Sequence, residues 1–344
     1  MNFENIELWN VPALEPVPGL GENGLVRFPR AIRDGLNARA RIMGRDSAGC
    51  ELRCVTDAPA LDICLSAIAP EPERRAQVRI FRGNHLVQTV ELETGRPRLL
   101  RLAPPPTFAP ERTTKLAAAG GFAPSVWRIA CNSGSTMVVE GVDAHGCEIR
   151  PPTDTEKPTL TWLAYGSSIT HSSLDGYPHV AARILKADVL NKGLSGSCHF
   201  EPALVDWMVD HCKWDIASLE MGVNMLGFYT PEQFEMRAAH AINRFAATGK
   251  PFLVIDIFPQ GQAAAYALKN DDSTPGRDRA FREIVHRLVR DNQTSNLRMA
   301  PGATILHDIT GLSADLLHPC NFGHSLMGAN VAREIRKLPG VPQA

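Results

Sequence analysis

The sequence has no charge excess of either sign. Its 344 residues carry 36 Lys and Arg against 37 Asp and Glu, a formal net charge of −1. The balance holds in both halves: residues 1–155 have 18 basic and 18 acidic side chains, the remainder 18 and 19. Binding a phosphate backbone needs a basic surplus, so no nucleic-acid partner is expected. The opening MNFENIELWNVPALEPVPG has no basic segment followed by an apolar one, so no secretory signal is expected. No stretch approaches the about 18 apolar residues of a membrane-spanning helix, which leaves no expected membrane partner. The eight cysteines (Cys50, Cys54, Cys64, Cys131, Cys147, Cys198, Cys212, Cys320) are too sparse for a disulfide scaffold, and no CxxC pair suggests a zinc or redox motif. Reduced, buried thiols in the cytoplasm follow as the expectation. Aromatics are only 6%, but 44% hydrophobic and 21% charged residues are ordinary for a globular chain. At about 150 residues per domain, the length suggests two domains. Repeats and low-complexity tracts are missing.

What is present falls into two rhythms. From about residue 25 to 150 the chain reads as short β-segments between turns: 25–30, 50–56, 61–68, 77–83, 85–93, 98–103, 126–132 and 136–144. Period-two alternation in VRIF and VQTVEL marks half-buried strands, and APPPTFAP (103–110) reads as a proline-rich loop. This predicts an antiparallel sandwich over residues 1–155. After the linker RPPTDTEKP (150–158), strands alternate with helices over residues 156–344. Strands are expected at 159–166, 188–193, 215–222, 251–258 and 302–309, and helices at 176–186, 202–212, 230–249, 277–292 and 324–338. Such alternation predicts a five-stranded parallel sheet covered on both faces, with reactive groups gathered at the carboxyl ends of its strands.

Four of those ends carry suggestive residues. The first reads Gly166-Ser167-Ser168-Ile169-Thr170. Ser168 is either a plain helix cap or a hydroxyl projected beside a helix N-terminus that favours negative charge. Asn191-Lys192-Gly193-Leu194-Ser195-Gly196 is either an ordinary turn or a place where a glycine brings a backbone N–H to a substrate oxygen. Asn224, in Gly222-Val223-Asn224, can cap a turn or donate to an oxyanion. Asp315-Leu316-Leu317-His318-Pro319 can pair a carboxylate with an imidazole as a general base; a surface histidine, or a metal site of His318, Cys320 and His324, are the alternatives.

Taken together and in this order, the four segments resemble the SGNH (GDSL-type) hydrolase superfamily over residues 160–340. The resemblance implies a three-layer αβα, flavodoxin-like domain and places the nucleophile at Ser168. It puts the triad partners at Asp315 and His318, and the oxyanion hole at the Ser168 and Gly196 backbone N–H groups with the Asn224 amide. Ser167 stands where many members have aspartate, although a GSSIT variant occurs in the superfamily, and Met225 stands where aspartate often follows the asparagine. The first half more loosely resembles the small β-sandwich, jelly-roll-like domain that precedes some members, on Arg45 to Arg53 and Thr56-Asp57.

The implied activity is a serine esterase working through an acyl-enzyme, with no metal and no cofactor. A GxSxG pentapeptide, the mark of the α/β-hydrolase route, is missing around Ser168, and Ser195 lacks it because position 197 is serine. No amphipathic lid insertion interrupts the strands, so a short acyl group, acetyl above all, on a carbohydrate or similar small alcohol is the expected substrate. A lipase or thioesterase-type acylhydrolase, and an inactive carbohydrate-binding protein, are the alternatives. Relatives often form homo-oligomers, but no segment advertises an interface. Asp308 is the second candidate for the triad carboxylate. His171 is expected as a surface histidine at the helix start, with lining the site as the alternative; Asp256, Phe258 and Gln260 either line the site or form a buried strand end running into the Pro259 turn. Phe234, Met236 and Phe245, at helical spacing, are expected in the core, and Trp127 and Arg128 in packing.

Overall fold

In the computed structural model, residues 1–70, 75–108, 115, 120–261 and 273–341 are described. Their contacts divide the chain into two compact units. Met1–Arg33, Gly44–Thr159 and Lys186–Leu190 form the first; Asp34–Met43, Leu160–Leu185 and Asn191–Ala344 form the second. The expected cut at residue 155 therefore lies close to one boundary, while 34–43 and 186–190 each join the other unit.

The first unit holds β1 (Asn2–Phe3), β2 (Ile6–Trp9), β3 (Ala13–Val17), β4 (Gly21–Val26), β5 (Glu51–Thr56), β6 (Leu61–Ile68), β7 (Ala76–Arg82), β8 (His85–Leu92), β9 (Arg98–Leu102), β10 (Val126–Cys131), β11 (Thr136–Asp143) and β12 (Ile149–Arg150), with the short helix α1 (Arg30–Arg33). One sheet runs β1-β2-β5-β10-β7-β8, with β12 also on β5, and the other runs β3-β4-β11-β6-β9. Alternation decides what each strand buries. Trp127, Ile129 and Cys131 of β10 enter the core with Leu52 and Cys54 of β5 and with Ile63, Leu65 and Ala67 of the other sheet. Both sheets thus share one apolar core, an antiparallel sandwich. The strand expected at 25–30 occupies Gly21–Val26, after which the chain turns into α1.

On the opposite face of β5, Arg53 is buried between the rings of Trp9 (4.5 Å) and Phe122 (4.7 Å). It donates to Glu51 at 2.8 Å and through both terminal nitrogens to Asp188, at 2.5 and 2.7 Å. Arg128 also grips Glu51, at 2.5 and 2.9 Å. Burial alone would raise the Glu51 carboxyl, but the two guanidinium groups bring it down to about 2. Trp127 and Arg128 are thus packing residues.

The second unit holds α2 (Ala38–Met43), β13 (Thr161–Tyr165), α3 (Ser168–His171), α4 (Tyr177–Leu185), α5 (Pro202–His211), β15 (Ile216–Glu220), α6 (Pro231–Ala246), β16 (Phe252–Ile255), α7 (Ser273–Asn292), β17 (Leu297–Ala300), α8 (Gly302–Ile305) and α9 (Asn321–Ile335). Together with β14 (Asp188–Asn191) the strands form a sheet in the order β14-β13-β15-β16-β17, and the pairs from β13 to β17 are parallel. Helix α4 packs on α9, and α5, α6 and α7 pack in succession, giving the expected αβα layers. In chain order the sheet runs 2-1-3-4-5, so its switch point lies beside β13, where crevices open at the carboxyl ends.

Two expectations are corrected. The fifth strand is Leu297–Ala300, not 302–309. Pro301 has no N–H for a ladder, and the chain after it coils into α8, whose Gly302 N–H is taken by Asp256 Oδ1 at 2.5 Å. Met236 is 68% exposed, whereas Phe234 and Phe245 are buried. Residues 234 and 245 fall on one helical face, and 236 lies roughly 200° away from 234. α6 itself starts where the signals placed it: Thr230 accepts from Gln233 N and Gln233 Oε1 accepts from Thr230 N, with Pro231 in the first turn.

Among the described residues no helix is long and apolar enough to cross a membrane. All eight cysteines are free; Cys50, Cys54, Cys131 and Cys198 are buried, but Cys147 is exposed, against the expectation of burial throughout.

Candidate active site

β13 ends at Tyr165, and the chain turns through Gly166 into α3. Ser167 caps that helix, its Oγ accepting from Ile169 N at 3.2 Å, and so takes the cap role. Ser168 is left as the first helical residue, half-buried, with its hydroxyl outside the capping interaction. A Cβ on Gly166 would overlap Thr170 Oγ1 and Glu220 Oε2, so only glycine fits this turn.

Ser168 Oγ lies 2.7 Å from His318 Nε2, and His318 Nδ1 lies 2.6 Å from Asp315 Oδ2. The DxxH segment is a closed turn. Asp315 Oδ1 accepts from Leu317 N, His318 N and Ser313 Oγ at 2.9, 2.9 and 2.8 Å, and Ser313 N donates to His318 O at 2.8 Å. Leu316 takes a left-handed conformation (φ 55°), which bends Asp315 back toward the ring. Burial works to raise the Asp315 carboxyl, yet the bonds from His318, the two backbone N–H groups and Ser313 hold it well below the usual carboxylate range. Asp308 instead caps a short turn, accepting from Thr310 N and Oγ1, and is not the partner of His318.

The second strand-end segment packs directly on the first. Leu194 N donates to Gly166 O (2.8 Å), Asn191 Nδ2 to Thr170 O (2.9 Å) and Ser195 N to His171 Nδ1 (3.2 Å). His171 is therefore buried under the loop rather than on the surface. Gly196 sits at φ 66°, exposed, and a Cβ there would lie 3.9 Å from Arg39 Nε. The third segment is tied to the second: Asn224 Oδ1 accepts from Cys198 N at 3.1 Å. Its amide NH₂ thus faces away from that bond, with no protein acceptor among the described residues. Ser168, Gly196 and Asn224 are in this way linked, segment to segment, by hydrogen bonds, and Asp315 and His318 join them through Ser168.

The other candidates for lining the site follow the end of β16. Asp256 is buried and accepts from Gly302 N, Arg282 (3.2 Å) and His286 (2.7 Å), which makes it a strand-end anchor. Phe258 is buried edge-on to Tyr177, and Gln260 is partly buried. Among the described residues no three His, Cys, Asp or Glu side chains gather as metal ligands. His324 is buried, accepts from Tyr177 N at 3.3 Å, and is pushed down to about 4 by burial, aided by His318.

Two groups at the site were not anticipated. Asn37, at the start of α2, donates to Glu201 Oε1 (2.7 Å) and Ser197 O (3.2 Å), bracing the loop after Gly196 from a segment 160 residues away in sequence. Glu220 accepts from Ser167 N at 2.6 Å. A lone carboxylate inside the apolar strand IASLE was its one signal in the sequence.

No curated protein matches the sequence. Solved structures share its fold, among them the following three. SsfX3, a salicylyl-acyltransferase from a tetracycline biosynthetic pathway, superposes with TM-score 0.77 at 18% identity over 98% of this chain and 96% of its own. A candidate GDSL-like lipase from Bacteroides ovatus gives 0.66 at 14% identity, over 97% and 98% of the two chains. A carbohydrate esterase family 2 enzyme with a carbohydrate-binding domain, from Corynascus thermopiles (Myceliophthora fergusii), gives 0.55 at 11% identity over 88% and 96%. The family model of the GDSL-like lipase/acylhydrolases matches residues 159–336, and the chain belongs to that family.

Proposed function

We propose that the protein is a serine esterase that hydrolyses short-chain esters, acetyl esters above all, of a carbohydrate or similar small alcohol. The observation that carries the reading is the chain Ser168 Oγ–His318 Nε2–Asp315 Oδ2, with links of 2.7 and 2.6 Å. A hydroxyl within reach of an imidazole whose far nitrogen is held by a carboxylate is the arrangement that makes serine a nucleophile.

Ser168 Oγ attacks the ester carbonyl as His318 Nε2 takes the hydroxyl proton. Asp315, held ionised, keeps Nδ1 protonated and stabilises the imidazolium. Negative charge on the carbonyl oxygen is met by the Ser168 and Gly196 N–H groups and the Asn224 amide. Collapse expels the alcohol, which leaves with the proton from His318. Water, deprotonated by the same ring, then attacks the acyl-enzyme and releases the acid and free Ser168. The side chains of His318 and Asp315 are 43% and 46% exposed, which suits a small polar alcohol that keeps part of its hydration.

The test is hydrolysis of p-nitrophenyl acetate against longer-chain esters and acetylated sugars, with Ser168→Ala as control. Acetyl preference and loss of turnover in the variant are expected. Undiminished turnover in Ser168→Ala contradicts the mechanism, and rates that rise with chain length contradict the acetyl preference.

A further inference from the structure

Beneath the turn that carries Ser168 lies a carboxyl group that the acyl-transfer steps leave unused. Glu220, the last residue of β15, is 1% exposed. Its Oε2 accepts from Ser167 N at 2.6 Å and from Thr170 Oγ1 at 3.0 Å. Thr170 Oγ1 is in turn 2.7 Å from the hydroxyl of Tyr177, the first residue of α4. One carboxyl oxygen therefore holds the residue before Ser168, the residue two beyond it and, through a hydroxyl, the next helix. The side chain also fills the space that a Cβ on Gly166 would need. Its other oxygen, Oε1, is buried with no hydrogen-bond partner among the described residues.

These contacts favour the ionised form locally, because both donors point at Oε2 and a carboxylate accepts such bonds about twice as strongly as a neutral acid. Burial opposes it. The titratable groups that face Glu220 are Tyr177 and Cys198, both kept neutral by burial, and no cation pairs with it among the described residues. Burial accordingly pushes the carboxyl up to about 7, against the pull of Ser167 and Thr170. A group in this balance changes charge near neutral pH.

We propose that Glu220 is a positioning residue for Ser168: its carboxylate fixes the 166–170 turn in the attacking geometry, so activity needs Glu220 deprotonated as well as His318 neutral. This rests on Ser168 being the nucleophile. Protonation leaves Ser167 N–H and Thr170 O–H with a weaker acceptor and puts an O–H on Oε1, which has no acceptor among the described residues, and this loosens the turn. Displacing a reacting atom by about 1 Å is enough to lower rate about 10²-fold.

The experiment is the pH profile of kcat and kcat/KM for p-nitrophenyl acetate, in the full-length wild type, Glu220→Gln and Thr170→Val. In the wild type, the acidic limb is expected to fall more steeply than one ionisation allows, with a component near the Glu220 titration. In Glu220→Gln that component disappears, the plateau kcat drops roughly 10- to 100-fold and KM changes little. Thr170→Val, which removes one donor and keeps the charge, retains the steep limb at a lower plateau. An unchanged profile in Glu220→Gln overturns the proposal, as does a lower plateau with the limb unaltered, since that is a structural effect alone. If Glu220→Gln does not fold, carbon NMR of wild type labelled at glutamate carboxyls decides. Titration of Glu220 in step with the acidic limb supports the proposal, and a Glu220 that stays in one state across the limb refutes it. Ser168→Ala keeps the two readings apart: turnover that survives in it defeats the nucleophile assignment, whereas failure at Glu220 with Ser168→Ala inactive defeats only the positioning role.

Discussion

Asn224 Oδ1 and Cys198 N share a 3.1 Å hydrogen bond that joins two loops from different strand ends. The bond uses the acceptor of the amide, so its orientation is fixed with the NH₂ available as a donor. If that donor serves the oxyanion, Asn224→Ala lowers kcat by about 10²–10³ with little change in KM, as for loss of a single side-chain donor elsewhere. Steady-state kinetics on an activated acetate check this, and a loss confined to KM would assign Asn224 to ground-state binding.

Asp315 and His318 sit on one closed turn, with three donors besides the ring on the carboxylate. Asp315→Asn preserves the turn's shape but offers Nδ1 an amide, so His318 settles in the wrong tautomer. A fall in kcat on the order of 10⁴ is expected, the size seen for that substitution in a serine protease. Because the Asp315 carboxyl titrates well below the usual range, its protonation contributes nothing to the acidic limb at mildly acid pH. Asp308→Asn, which removes only a turn cap, leaves activity near wild type.

The buried charge of Glu220 makes a stability prediction with a definite sign. Its folded value near 7 exceeds the ordinary 4.5, so the folded state binds this proton more tightly than the unfolded one. The stability it lends is therefore complete below about pH 4.5 and is lost as pH rises through 7, on the order of 3 kcal/mol. Glu220→Gln removes that dependence. Its melting temperature should match wild type below about pH 4.5 and exceed it above pH 7, read by calorimetry at several pH values. His324, pushed down to about 4, acts in the opposite sense by favouring the unfolded state below its ordinary value of 6.5, and it cancels in the comparison of the two proteins.

In the first unit, Arg53 is buried against Glu51 and Asp188, with Glu7 at 3.6 Å. Arg53→Ala leaves Asp188 without its two-pronged partner and Glu51 with Arg128 alone, and empties the space between Trp9 and Phe122. A loss of about 3–5 kcal/mol is expected, measured as a lower midpoint in thermal or urea unfolding. Arg53→Lys should recover only part of it, since an ammonium cannot span both Asp188 oxygens.

How much the sequence disclosed depended on how local each signal was. The strand at 61–68 was legible to the residue because turns bound an apolar run, and helix α6 was legible because its cap, Pro231 and Gly249 are adjacent to it. Strand β3 was hidden by Pro16, which an edge strand tolerates because one side of its backbone has no partner. The fifth strand was misplaced because LRMA is short and mostly half-buried, while the apolar stretch after Pro301 belongs to α8. At the site, Ser168, Gly196, Asn224, Asp315 and His318 each lie within a short recognisable segment. Glu220 and Asn37 do not, because their partners lie 53 and 160–164 residues away and only the tertiary fold brings them near.

The most direct measurement is mass spectrometry of the protein quenched during turnover of p-nitrophenyl acetate, with peptide mapping of the modified residue. A single acetyl group on the hydroxyl of residue 168, lost over the time course of hydrolysis and absent from Ser168→Ala, is the expected result. Acetyl carried elsewhere, or full turnover by Ser168→Ala, would contradict it.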